Sequence, residues 1–235
     1  MQHDDGTVQS SITGFWDTIA AFYEDDPSNV PSQDSLEYRA WARAIARMLP
    51  MFPSDVVDIG TGTGFVALVA GQLGHRVVGV DLSVAMLSQA RTRAARRGIS
   101  VEFKIGDAVE PPVNESSADV IICRHLLWTL RQPDIALANW HRILRPGGRV
   151  IVIDGFWFSE TRPEEEFDLF KMHYSRRIRD SLPAMKWERV ELVTELLRQA
   201  GFTEITTDDL ADIRNKSNHR STAQPWYMVT ALRDR

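Results

Sequence analysis

Between residues 56 and 155 the apolar positions come in two alternating textures. Short runs dense in Val and Ile, at 56–59, 76–81, 101–106, 119–123 and 149–154, alternate with longer stretches whose apolar residues recur three or four apart. Near-continuous apolarity over so few residues predicts strands covered on both faces, as in a parallel sheet. The longer stretches predict helices. One spans 65–73; a second spans 83–97, with Ser83 as its N-cap and Leu87, Ala90 and Ala94 on one face. A third, at 134–144, stops at Arg145-Pro146-Gly147-Gly148. Alternation of this kind predicts an α/β fold with right-handed crossovers and a doubly wound sheet.

The flanks follow a different pattern. Residues 1–50 read as a helical cap, with Leu36, Ala40, Ala44 and Met48, and Trp41 beside them, on one stripe. Residues 51–235 form the main domain, interrupted at 156–187 by an inserted segment. There Pro163 followed by Glu164, Glu165 and Glu166 predicts a helix start with acids in its first turn. Phe167, Phe170, Tyr174 and Ile178 mark one face of it, and Arg176, Arg177 and Arg179 lie near its far end, so the insertion is expected to act as a lid. A last helix carrying Val190, Val193, Leu196, Leu197 and Ala200 ends at Gly201. Strands at 203–207 and 226–232 follow, joined by a polar loop around 215–221.

Chemistry concentrates at the carboxyl ends of the strands. The first run continues as Asp58-Ile59-Gly60-Thr61-Gly62-Thr63-Gly64-Phe65. Three alternating glycines between a strand and a helix let bare backbone approach a ligand. A dinucleotide fingerprint, G-x-G-x-x-G, would require glycine where Phe65 stands. The spacing therefore favours a nucleoside-type ligand over a clamped pyrophosphate, with Asp58 orienting the loop. Asp81 ends the second strand, where an acid can accept from both ribose hydroxyls; Gly106-Asp107-Ala108 ends the third, within reach of an adenine amino group. Arg124-His125-Leu126 ends the fourth, at the edge of the same crevice.

Residues 56–65, Gly79-Val80-Asp81-Leu82-Ser83 with Met86-Leu87, Gly106-Asp107-Ala108, and Leu144-Arg145-Pro146-Gly147-Gly148-Arg149 resemble the ordered motifs of class I S-adenosylmethionine-dependent methyltransferases, in particular the branch acting on small molecules. The resemblance covers about residues 52–155. It implies a Rossmann-like, seven-stranded, mainly parallel sheet with an antiparallel last strand, and S-adenosyl-L-methionine as cofactor. It further implies that Gly60, Gly62 and Gly64 approach the methionine part and that Asp81 holds the ribose. Leu82 and Met86 would lie against the adenine, and Asp107 and Ala108 would meet its edge. Arg124 would line the cleft, its backbone carbonyl near the cofactor's amino group.

A sulfonium already carries a good leaving group, so positioning and desolvation are the enzyme's main tasks. Phe15, Trp16 and Tyr23 are the aromatic candidates for facing the cation. His125 is the candidate to orient or deprotonate an acceptor. Trp128, Trp157, His173 and Tyr174, with Trp16 and Tyr23, are expected to wall a pocket for a planar or apolar small molecule methylated on nitrogen or oxygen. Two other functions share these features: a non-catalytic S-adenosylmethionine sensor, and, less well matched, a nicotinamide-dependent oxidoreductase.

Charge and composition narrow the partners. A formal net charge of -5 argues against nucleic acid, and Arg91, Arg93, Arg96 and Arg97 read as a solvated helix face. The single cysteine, Cys123, lies in an apolar run and is expected to be buried. His173 and His219 stand alone, and no His/Asp/Glu cluster at ligand spacing suggests a metal. MQHDDGTVQSS has neither a basic start nor an apolar core, and no run reaches the ~18 apolar residues of a membrane helix. A cytoplasmic monomer or homodimer with no membrane partner is the expectation.

Overall fold

The computed structural model describes residues 5–25, 29–158, 168–214 and 226–234. In chain order the elements are α1 (Asp5–Ile19), α2 (Leu36–Met48), β1 (Asp55–Ile59), α3 (Phe65–Gln72), β2 (Arg76–Asp81), α4 (Val84–Arg97), β3 (Glu102–Ile105) and β4 (Ala118–Arg124). There follow α5 (Pro133–Ile143), β5 (Leu144–Gly155), α6 (Asp168–His173), α7 (Arg176–Asp180), α8 (Glu191–Gln199), β6 (Phe202–Asp208), α9 (Ala211–Arg214) and β7 (Trp226–Arg233).

The seven strands form one sheet in the order β3-β2-β1-β4-β5-β7-β6. The first five are mutually parallel, and β7 runs antiparallel to both β5 and β6. Strand order reverses direction between β1 and β4, which creates a crevice outside their carboxyl ends. Both faces are covered, as the Val/Ile runs require. Ile121 and Cys123 of β4 point into a core with Leu137, Trp140, Val193 and Leu197. Val120 and Ile122 point the other way, toward Trp41, Ile45, Val66 and Ala70. A third, smaller cluster joins Val8 and Ile12 of α1 to Trp128, Tyr174, Ile178 and Leu182.

Local signals explain several boundaries. The Ser83 hydroxyl accepts from the Met86 N–H at 3.0 Å, capping α4, and Gly98 ends that helix in the left-handed region with φ 63°. The expected stop at Arg145–Gly148 instead lies within β5, which begins at Leu144 opposite Ala118; pairing is irregular between Ala118 and Val120. The inserted segment is two short helices, α6 and α7, broken around Tyr174-Ser175, rather than one continuous helix. Its expected start at Pro163–Phe167 lies outside the described residues, as does the 215–221 loop with His219.

Residues 1–50 divide in two. In α2, Ala40, Trp41, Ala44 and Met48 are buried on the sheet, whereas Leu36, placed on the same stripe by spacing, is 68% exposed at the helix's first position. In contrast, α1 packs on α4 and α6, above the strand ends. Among the described residues no helix is long and apolar enough to cross a membrane.

Candidate active site

The site begins at the end of β1. Gly60, Gly62 and Gly64 have φ of 69°, 53° and 85°, a region that L side chains rarely adopt. The Gly60 and Thr61 N–H groups donate to the Val80 carbonyl at 2.8 and 3.0 Å, holding the loop against β2. Asp58 is buried beneath it. One of its oxygens, Oδ2, accepts from the Thr61 hydroxyl at 2.6 Å and from the Ala67 N–H at 3.0 Å, joining the loop to the first turn of α3. Burial pushes its carboxyl up to about 7. Asp58 thus shapes the loop from below and is absent from the cavity lining.

Above the loop lies a cleft that is partly open to solvent. Gly60 and Gly62 lie on its floor; Asp81, Leu82 and Met86 form one side, Asp107 and Ala108 the next, and Arg124 and His125 the far end. A Cβ on Gly62 would meet nothing within 4 Å, so the backbone there is bare toward open space. A Cβ on Gly60 would come within 2.7 Å of Leu126 Cδ1, and one on Gly64 within 3.2 Å of the Ala90 Cβ. Three glycines therefore serve different needs: Gly60 and Gly64 fit packing, and Gly62 leaves a ligand room.

The two acids at the strand ends are held by backbone. Asp81 accepts from the Gly62 N–H at 2.8 Å through Oδ2 and from the Ser83 N–H at 2.9 Å through Oδ1. Burial raises its carboxyl above the ordinary range. Asp107 turns one oxygen to the Val109 N–H at 2.8 Å, an Asx-type turn with no helix behind it.

The roof comes from the N-terminal segment. Gln9, Ile12, Thr13 and Trp16 of α1, and Tyr23 beyond it, line the cavity. Two links hold this roof down. Asp17 Oδ1 accepts from the Ser83 hydroxyl at 2.6 Å and from the Ala85 N–H at 3.2 Å, and Glu24 pairs with Arg93 at 2.7 Å. Arg93 also donates to the Thr63 carbonyl at 3.1 Å, so the same guanidinium touches roof and floor. It is not part of a simple solvated face.

His125 lines the cavity with a left-handed backbone, φ 57°, which is rare for a non-glycine residue. Its ring lies 4.7 Å from that of Trp157 and 5.8 Å from that of Trp226, and its Nε2 is sealed from solvent with no hydrogen-bond partner. Burial, with the adjacent Arg124 charge, holds its pKa well below the usual imidazole range. The ring is neutral at pH 7.

Asp154, at the end of β5, holds the chain just after His125 and the Trp157 ring beside it. It accepts from the Leu127 N–H at 2.9 Å and from Trp157 Nε1 at 2.6 Å, and burial raises its carboxyl to about 6. Sequence reading passed over it, although an acid closing the run Val150–Ile153 carries the same signal as Asp81.

The four residues expected to wall the acceptor pocket lie one layer back. Trp128 is buried, donates from Nε1 to the His125 carbonyl at 3.0 Å, and packs on Trp16, Tyr174 and Phe158. Tyr174 is fully buried, its hydroxyl 2.6 Å from that of Thr129. His173 Nδ1 lies 3.0 Å from the Ser11 carbonyl, and Trp157 is held by Asp154. Phe15 likewise packs against Phe170 and Tyr174. These side chains brace α1 and the strand-end loops. Gln9, Ile12 and Thr13, unmarked by any motif, line the cavity where they were expected to.

Known proteins resemble this chain in sequence. A family profile described as a methyltransferase domain matches residues 57–152. Phosphoethanolamine N-methyltransferase 1 of Arabidopsis thaliana is 30% identical over 67% of this chain and 30% of its own length. Demethylmenaquinone methyltransferase of Thermus thermophilus is 33% identical over 58% of this chain and 61% of its own. Over residues 57–152 the chain matches the methyltransferase-domain family, in keeping with its resemblance to the class I S-adenosylmethionine-dependent methyltransferases.

The overall fold is shared with solved methyltransferase structures. Haemonchus contortus phosphoethanolamine N-methyltransferase 2, in complex with S-adenosyl-L-methionine, superposes with a TM-score of 0.69 at 20% identity, covering 93% of this chain and 57% of that one. The chain spans about a third of the length of the curated phosphoethanolamine methyltransferases it matches.

Proposed function

We propose that this methyltransferase binds S-adenosyl-L-methionine in the strand-end cavity and transfers its methyl group to a nitrogen or oxygen of a small, planar or apolar metabolite. One observation carries the reading: Gly62, Asp81 and Asp107, from three adjacent strand ends, face a single cavity roofed by α1. Asp81 and Asp107 supply acceptors for ribose and adenine, and bare backbone at Gly62 supplies the space between. Bound there, the cofactor would supply a methyl group on a sulfonium, whose leaving group is a neutral thioether that needs no proton from the protein.

The chain's own residues do the rest. Trp16 and Tyr23 present aromatic rings from the roof, which favour a nearby cation and exclude water. His125 lines the cavity as a neutral imidazole, suited to orienting an acceptor's N–H or O–H once the ring turns its unpartnered Nε2 toward the cavity. An imidazole of such low basicity orients better than it deprotonates, which suits acceptors that arrive with a lone pair. Ile12, Trp16, Leu126 and Leu130 give the upper cavity an apolar lining, and Gln9, Thr13 and Thr129 add a few polar contacts. The curated relatives are named for a phosphorylated amine and for a quinone precursor; the apolar lining favours an acceptor closer in kind to the latter.

The test is methyl transfer from isotopically labelled S-adenosylmethionine to a panel of planar amines, phenols and quinols. Label entering an acceptor, with loss of transfer in Asp81→Ala, supports the proposal. Tight S-adenosylhomocysteine binding with no transfer across the panel would favour the sensor reading instead. In His125→Ala the acceptor KM should rise; undiminished kcat and KM would remove the role given to His125.

A further inference from the structure

The sheet ends on β3 at one side and on β6 at the other, and the two edges differ. β6 breaks register with β7 between Thr203 and Thr206 and holds Glu204 in the left-handed region at φ 47°, an irregularity of the kind that keeps an edge from pairing. β3 is regular, matched residue by residue to β2 from Glu102 to Ile105. Two hydrogen bonds fix which of its backbone groups face outward. The Gly106 N–H donates inward to the Asp81 carbonyl of β2 at 3.0 Å, whereas the Phe103 carbonyl accepts from the exposed Arg91 side chain at 2.9 Å. Backbone direction alternates along a strand, so Glu102 and Lys104 bond toward β2 while Phe103 and Ile105 point off the edge. The side chains alternate as well. The Phe103 ring lies against Gly79 and Gly64 on the face that α3 covers, and Ile105 beyond it is 55% exposed. Glu102 and Lys104 stand 3.4 Å apart on the other face, where residues 106–117 lead to β4 without a helix to cover them.

We propose that β3 is a self-association edge: two copies of this chain pair their β3 strands antiparallel about a two-fold axis at Phe103. The charges on the strand select that register. With Phe103 opposite itself, the outward backbone groups form a hydrogen-bonded pair, and Glu102 falls opposite the partner's Lys104, twice over by symmetry. Those flanking positions are the non-hydrogen-bonded ones, where facing side chains approach most closely and opposite charges favour pairing. On the other face the exposed Ile105 falls opposite the partner's Val101 and is covered by it. Sliding the strands by two residues sets Glu102 against Glu102 or Lys104 against Lys104, so neighbouring registers are repelled. Within one chain the Glu102–Lys104 contact joins solvent-exposed groups and is weak; pairing exchanges it for two cross-strand contacts. Arg91 gives up the Phe103 carbonyl to the partner's N–H and keeps its own charge in solvent. One short strand per copy buries little area, so the dimer is weak and forms with rising concentration.

Sedimentation equilibrium of the full chain, from about 1 to 200 μM, tests the pairing. The mass of wild type should rise with concentration from the 26.6 kDa of one chain toward twice that value. Lys104→Glu and Glu102→Lys each place two like-charge pairs across the edge and should weaken the dimer at least about tenfold. The double variant, which exchanges the two charges, should regain it. An equimolar mixture of the two single variants should associate as a heterodimer, since every facing pair is then opposite in sign. Both side chains reach solvent, so the reversals should leave the thermal melt of the monomer unchanged. Wild type that stays monomeric throughout overturns the proposal. So does a dimer indifferent to the single reversals, which would lie on another surface, and so does a double variant that fails to regain association. Amide exchange gives a second reading: protection should grow with concentration at Phe103 and Ile105 and stay constant along β6. Protection that grows along β6 instead overturns the assignment to β3.

Discussion

Gly60 and Gly62 share a left-handed backbone but differ in what surrounds them, and substitution should separate the two requirements. Alanine at either site costs about 1–2 kcal/mol of backbone strain. At Gly60 the added Cβ also collides with Leu126, so Gly60→Ala should lower stability further, visible as a reduced urea midpoint. At Gly62 the Cβ meets no protein atom and projects into open space beside Asp81. Gly62→Ala should therefore be the more stable variant yet lose at least about tenfold in S-adenosylhomocysteine affinity. Equal stability with equal affinity would contradict this division. Asp58 offers a second check. Its folded pKa, about 7, lies above the ordinary carboxyl value, so its stabilising contribution is present below about pH 4 and is lost as pH rises through about 7. Both of its hydrogen bonds use one oxygen, which an amide can supply. Asp58→Asn should keep the fold and show a flatter stability profile than wild type between pH 4 and pH 7 in urea titrations. Buried His125 has the opposite sign, losing stability as pH falls below about 6.5, so the difference between variant and wild type is the quantity to read. A parallel profile in the two proteins would count against the buried, partly protonated carboxyl.

At the scale of elements, α1 differs from the sheet helices in what holds it. Its inner face joins the small third cluster and the cavity roof, and its end is tied to α4 through Asp17. Removing that carboxylate in Asp17→Ala should cost about 1 kcal/mol or more and speed amide hydrogen exchange in α1. Exchange in β1 and β4 should be unchanged. Unaltered α1 exchange would show that the aromatic cluster alone holds the roof. The sequence made the sheet helices legible because their apolar stripes match a broad apolar surface, and because Ser83 and Gly98 mark the ends of α4. It made α1 far less legible. Val8 and Ile12 are its buried aliphatics, and Gln9 and Thr13 line the cavity as ordinary polar residues with no motif. Trp128, Trp157, His173 and Tyr174, expected from aromatic density to wall the acceptor pocket, lie outside the lining of the strand-end cavity. A ring can wall a pocket or brace the wall from behind, and composition does not distinguish the two. Here Trp128, Tyr174, Phe15 and Phe170 pack edge and face on one another, satisfying themselves without a ligand.

Across the whole molecule the parallel core was the most legible part, for a physical reason. Strands covered on both faces must be apolar throughout, so their ends are marked wherever polar residues begin, and those ends are where Asp81, Asp107 and His125 stand. Reversal of strand order between β1 and β4 then brings distant positions to one crevice without any further signal. What remained hidden was which polar atoms would be left unmet, because that depends on three-dimensional packing: Arg124 reads as a strand-end residue, and only the structure shows its buried Nε and Nη2 without a hydrogen-bond partner. A ligand bound by the folded chain alone should raise its melting temperature with concentration, so S-adenosylhomocysteine should stabilise wild type more than Asp81→Ala. Most direct is calorimetric titration of the wild-type chain with S-adenosylhomocysteine and, separately, with NADH. The account predicts saturable binding of S-adenosylhomocysteine at one site per chain and no binding heat from NADH. Binding of NADH, or an absence of binding by S-adenosylhomocysteine, would contradict it.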